Sequence, residues 1–151
     1  MDSREQEYQT IKSKAAAYCA AAERCLADVR AKLNATTLDE DQKQAIVSEL
    51  RAGGYLDEAR YARAFVHDKF RFAGWGRIKI RYALRMKNLP EATVSDALAS
   101  IDEDDYLSRL KTILQTKKRS LSGDERTIRT KLLRFAASRG FETEVIYQAL
   151  G

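Results

Sequence analysis

Two stretches of the chain, KNLPEATVSDAL (87–98) and RGFETEVIYQAL (139–150), follow one pattern at a constant offset. The offset is roughly 52 residues, the scale of a three-helix repeat. Each copy runs from a basic residue through a residue suited to left-handed backbone, a large apolar residue and a β-branched apolar residue to a closing Ala-Leu pair. DEDQKQAIVSEL, in the first third, is a weaker copy ending in Ile46, Val47 and Leu50. A unit of this size buries little alone, so neighbours must stack. The expected fold is all-α: three tandem three-helix repeats, 1–54, 55–101 and 102–151, forming one elongated, curved array.

Local signals place the helices. Pro90 is the only proline, so strong breakers are nearly absent. Residues 5–20 read as a helix whose Ala15, Ala16, Ala17 and Ala20 admit a close neighbour, and 22–34 continue its period after a bend. Gly53 and Gly54 close the helix that follows, and Asp57 is a natural N-cap for LDEARYARAFVHDKF. Asp57 and Arg60 are expected to form a local pair. Gly74 and Gly76 break the chain before the helix 76–89, Asn88 stands where a left-handed residue would end it, and Pro90 opens a short helix. The run Asp102–Asp105 and the bases Lys117, Lys118 and Arg119 complement the two ends of one helix. Ser122 and Glu125 have capping-box spacing for the next, and Gly140 with Phe141 matches a glycine C-cap.

Charge is unevenly divided. The chain carries a net +5, made of −1 in 1–54, +4 in 55–101 and +2 in 102–151. A polyanion, either nucleic acid or an acidic protein surface, is the expected partner of the middle and late chain. Residues 69–87 contain no Asp or Glu, yet Arg77, Lys79, Arg81, Arg85 and Lys87 cluster there. On a helix Arg77, Arg81 and Arg85 form one stripe about 80 degrees wide. Ile80, Ala83 and Leu84 lie to one side and Ile78, Tyr82 and Met86 to the other. The helix is expected to pack on both flanks and expose this ridge. Arg126, Arg129, Lys131, Arg134 and Arg139 make a second basic face on the equivalent helix 124–139. Stacked units would join the two faces into a track. Trp75, between Gly74 and Gly76, either stacks on a base and anchors an interface or covers the junction of two units.

The residues offer little to catalysis. His67 is the only histidine and reads as a surface or boundary residue, and no GxxxxGK, GxSxG or HExxH pattern is present. Cys19 and Cys25, six apart, fall on different helix faces and lack partners for a metal set, so they read as small buried hydrophobes in a reducing cytoplasm. No metal, cofactor or catalytic residue is expected. No apolar run reaches the ~20 residues of a membrane span. A cytoplasmic monomer without membrane contact is expected.

GYLDEARYARAFV (54–66), the glycine loop, RIKIRYALRMKNL and KLLRFAASRGFETEVIYQAL together resemble the RecX family of recombination regulators. That family's first hallmark falls on Gly54, Leu56, Asp57, Glu58, Arg60, Tyr61 and Ala62, and its second on Ile80, Leu84, Lys87, Asn88 and Leu89. Glu58 replaces the usual aspartate, Asn88 the usual glycine, and the loop around Asn34–Asp41 is lengthened. The resemblance implies a non-enzymatic protein that lies in the groove of the RecA filament on DNA. There it would restrain strand exchange and coprotease activity, and so DNA repair and the SOS response. A protein that binds DNA or RNA directly without a recombinase, and a helical adaptor for an unrelated acidic protein, are the alternatives.

Overall fold

The computed structural model describes residues 2–151, which form nine α-helices and no strand. In chain order they are α1 (Ser3–Ala21), α2 (Leu26–Asn34), α3 (Glu40–Ala52), α4 (Glu58–Asp68), α5 (Arg77–Met86), α6 (Glu91–Ala99), α7 (Glu103–Lys118), α8 (Glu125–Ser138) and α9 (Thr143–Leu150). A single π-helical turn, Lys69–Ala73, extends α4. Helices pack in successive threes: α1 to α3, α4 to α6, and α7 to α9. The accessible surface is 9324 Å², against roughly 7,800 Å² for a compact monomer of this mass. The molecule is therefore elongated.

Most helix ends obey the local rules. Asp57 accepts the amide of Arg60 at 3.0 Å, Asp102 that of Asp105 at 3.0 Å, and Asp39 that of Gln42 at 2.8 Å. Asn88 has φ 61° and Gly140 φ 94°, the left-handed residues that end α5 and α8. Three expectations need correcting. The α1–α2 break is wider than a bend, because Ala22 is extended and Arg24 turns back onto Tyr18, its Nε 3.0 Å from the carbonyl oxygen and its Cζ 3.9 Å from the ring centroid. Asp124, not Ser122, caps α8, accepting the Thr127 amide at 2.8 Å. The Arg60 side chain leaves Asp57 to the backbone and pairs with Glu23 at 2.7 Å.

The core is divided. Ala15, Cys19, Val29, Leu33, Ile46, Val47, Leu50 and Leu56 form one cluster around α1–α3. A larger cluster runs without interruption through α4–α9, with Tyr106 stacked on Phe70 (5.7 Å) and meeting a tilted Phe141 (5.2 Å). Cys25 joins that larger cluster, and both cysteines are buried and unbridged, in line with their expected role as small hydrophobes.

Asp28 ties the first three helices to the next three. Its carboxylate accepts the Cys25 amide at 3.1 Å and lies 3.2 Å from Lys87 Nζ. Burial pushes this carboxyl upward, but its bonds to Cys25 and the Lys87 ammonium outweigh burial and hold it below its ordinary value. A lowered carboxyl contributes stability above its unfolded pKa of about 3.9 and loses it as pH falls through the folded value. Asp28→Asn is expected to lower stability by about 1 kcal/mol or less at pH 7 and to match the wild type at pH ~2. Urea titrations at the two pH values check this; an equal loss at both would count against it.

Candidate functional site

The helix carrying the first basic cluster, α5, starts on the last turn of α8. Gly76 at its N-cap has no side chain to satisfy the helix's first amides. Instead Gly76 N donates to the Arg139 carbonyl at 2.8 Å, Ile78 N to that of Gly140 at 2.9 Å, and Arg77 N to the Tyr106 hydroxyl at 3.0 Å. Ile80 and Leu84 are fully buried on the inner face. The opposite flank does not pack: Ile78, Tyr82 and Met86 are 56%, 66% and 65% exposed. The expectation of packing on both sides of the arginine stripe is thus corrected, because the inner flank alone meets a neighbour.

Each arginine of the stripe meets a carboxylate from outside its own sequence window. Arg77 Nη1 lies 2.9 Å from Glu142, its Nη2 pairs with Glu103, and its Cζ sits 3.8 Å from the Tyr106 ring centroid. Tyr106 donates its hydroxyl to the same Glu142. Burial first, and then that bond, pushes the phenol well above its ordinary value, so it remains a donor at any physiological pH. Burial also opposes the charge on Arg77, but Glu142 and Glu103 outweigh it and raise its pKa. Arg77 is a strut between α5, α7 and α9 more than a surface group. Arg85 makes a two-pronged pair with Glu91, at 2.9 and 3.0 Å, which Arg81 shares. Lys87 is held by Asp28, and Lys79 Nζ lies 4.7 Å from the centroid of the Trp75 ring.

The α8 face is different. Arg126, Lys131 and Arg134 are exposed, and with Thr127 and Thr130 they line a groove of about 240 Å³. Among the described residues none of these three forms an ion pair, and Asp124, at the helix start, is committed to the cap. Arg129 reaches the Gly151 carbonyl at 3.4 Å. Arg139 turns inward, donating from Nη1 to the Ala73 carbonyl at 2.9 Å. Trp75 is half-buried against the larger core with Lys69 and Lys79 over its ring, 5.0 and 4.7 Å from the centroid. Sequence reasoning missed Glu91, Glu103 and Glu142 as partners of the stripe, since no local pattern links them to it. His67 is exposed, and among the described residues no group of three or more potential ligands is placed for a metal and no helix is long and apolar enough to cross a membrane.

Comparison with known proteins places this architecture. Family models match residues 57–98 as the RecX second three-helix domain and 103–150 as the RecX third three-helix domain. "Regulatory protein RecX" from Clostridium botulinum (strain Eklund 17B / Type B) is 34% identical over 121 residues, 78% of this chain. The match spans only 56% of that relative's length. The protein of the same name from Leptothrix cholodnii is 31% identical over 93% of this chain and 87% of its own length. The crystal structure of RecX from Lactobacillus salivarius superposes with a TM-score of 0.89 at 18% identity, covering 97% of this chain and 96% of that one. A second crystal structure of regulatory protein RecX gives 0.84 at 21% identity, covering 99% and 79%. With three-helix packing, order of motifs and likeness along its length all in agreement, the chain belongs to the RecX family of regulatory proteins.

Proposed function

We propose that this chain is a non-enzymatic cytoplasmic regulator that binds the RecA nucleoprotein filament and restrains its strand-exchange and coprotease activities. The contact surface is led by the α8 face, Arg126, Lys131 and Arg134, with Arg129 at its margin; Arg139, turned inward onto the Ala73 carbonyl, is set apart from it. The observation that carries this choice is the contrast between two basic helices. Carboxylates of the chain itself partner the stripe Arg77, Arg81 and Arg85, whereas the α8 cations have none among the described residues. A cation already in a good ion pair must give up that pair to meet a new anion, so α8 presents the stronger field to phosphates or acidic side chains. Lys79, Arg81, Arg85 and Lys87 act as secondary contacts on the rim, with Trp75 packed behind them.

Family membership makes the recombinase filament the first partner to test. Equimolar addition of this chain is expected to suppress RecA's DNA-dependent ATP hydrolysis and strand exchange. No effect on either would sink the proposal. Bare duplex or single-stranded DNA is expected to bind more weakly at physiological salt, because its phosphates alone fill the contact. Tight binding to bare DNA or RNA without filament inhibition would favour direct nucleic-acid recognition.

A further inference from the structure

A cleft separate from the α8 groove lies between Gly74, α7 and α8. We propose that it binds a nucleotide, holding the phosphate on Arg109, Lys117 and Arg139 and stacking the base on Phe72. This inference stands independently of the filament reading.

The cavity measures about 520 Å³, within the ~300–1,000 Å³ of small-molecule sites. Three of its lining side chains are cationic and none is acidic. Asp105, one turn before Arg109 on α7, pairs with Arg71 instead. The two arginines are fixed by the turn that ends at Gly74: Arg109 Nη2 donates to the Arg71 carbonyl at 3.1 Å, and Arg139 Nη1 to that of Ala73 at 2.9 Å. They converge there. A Cβ placed on Gly74 would lie 3.7 Å from Arg139 Nη1 and 3.8 Å from Arg109 Nη2. Holding like charges together is unfavourable unless an anion joins them, and a guanidinium matches a phosphate in shape as well as charge. Arg109 Nε is buried with no hydrogen-bond partner among the described residues, an unusual state for a strong donor.

The aromatic part of the cleft selects among anions. Phe135 is already covered, with Lys117 Nζ 4.9 Å and Arg139 Cζ 5.0 Å from its ring centroid. Phe72 lines the same cleft and is 79% exposed, the most exposed large hydrophobic among the described residues. A free ring beside a phosphate-sized cluster of cations is the arrangement that stacks a base of any identity.

Calorimetric titration of the full chain tests this without any recombinase present, so its failure would leave the filament reading standing. Deoxyadenosine monophosphate is expected to bind roughly tenfold more tightly than inorganic phosphate, the increment of one stacked base. Phe72→Ala should erase that difference while leaving phosphate affinity and the melting temperature unchanged, and Lys117→Gln should weaken both ligands. A short single-stranded oligonucleotide that competes with the mononucleotide assigns the site to a strand, and one that does not assigns it to free nucleotide. Equal affinity for phosphate and mononucleotide, indifference to Phe72→Ala, or preferential binding of an oligoglutamate peptide would overturn the proposal.

Discussion

Gly76→Ala is expected to destabilise the protein by about 3 kcal/mol or more in urea unfolding at 25 °C. The backbone at Gly76, φ −84°, is one any residue adopts; glycine is needed for room. An added Cβ would fall 2.4 Å from the Gly140 carbonyl oxygen and 2.5 Å from Phe141 N, both main-chain atoms that cannot swing aside. To fit, the start of α5 must retreat from the last turn of α8. That movement breaks the bonds of Gly76 N, Arg77 N and Ile78 N, each worth about 1 kcal/mol net, and disturbs the Arg77–Tyr106–Glu142 cluster beside them. Gly54→Ala is the control. Its φ of 77° carries backbone strain of about 1 kcal/mol, but nothing lies within 4 Å of its Cβ. Equal destabilisation in the two variants would mean that the contact of α5 with α8 accommodates the added methyl group and that room at Gly76 is not what holds these helices together.

Reversing three charges on α8 is expected to have the larger functional effect. Arg126→Glu, Lys131→Glu and Arg134→Glu together should weaken filament inhibition at least about 100-fold while the urea midpoint stays close to wild type, since exposed substitutions of this kind usually cost within ~0.5 kcal/mol each. Where these cations meet phosphates, the slope of log affinity against log salt should fall by about 3, near 0.9 for each phosphate no longer neutralised. The same reversal at Arg77 is a poor probe of binding, because it would set a carboxylate against Glu103 and Glu142 and strain the fold itself. A folded α8 variant that still inhibits like wild type would move the interface elsewhere.

The residues show why some of this was legible and some was not. Asn88, Gly140 and Asp57 act through their own backbone or a neighbour three residues away, so the sequence alone places them. The copied pattern at 87–98 and 139–150 likewise registers apolar positions that become Leu89, Val94, Phe141 and Ile146 in one core. By contrast, Ala22, Glu23 and Arg24 are all good helix formers, and the break they form depends on Tyr18 and Arg60. The stripe at Arg77, Arg81 and Arg85 was visible as periodicity. Its neutralisation was not, since Glu103 is 26 residues and Glu142 65 residues from Arg77 along the chain. Charge counted in a window describes a surface only when folding brings no counter-charge to it. The α8 cluster, with Asp124 and Glu125 at its head, looked the less basic of the two and is the less neutralised.

The divided core also bears on how the chain acquires its shape during synthesis. Every member of the smaller cluster lies between Ala15 and Leu56, so all of it can assemble once the first three helices have left the ribosome. The larger cluster needs Ile146, which is made long after Leu56. Until then Tyr106 and Phe70 lack Phe141, and the nascent chain holds an assembled first cluster attached to an apolar surface still waiting for its other half.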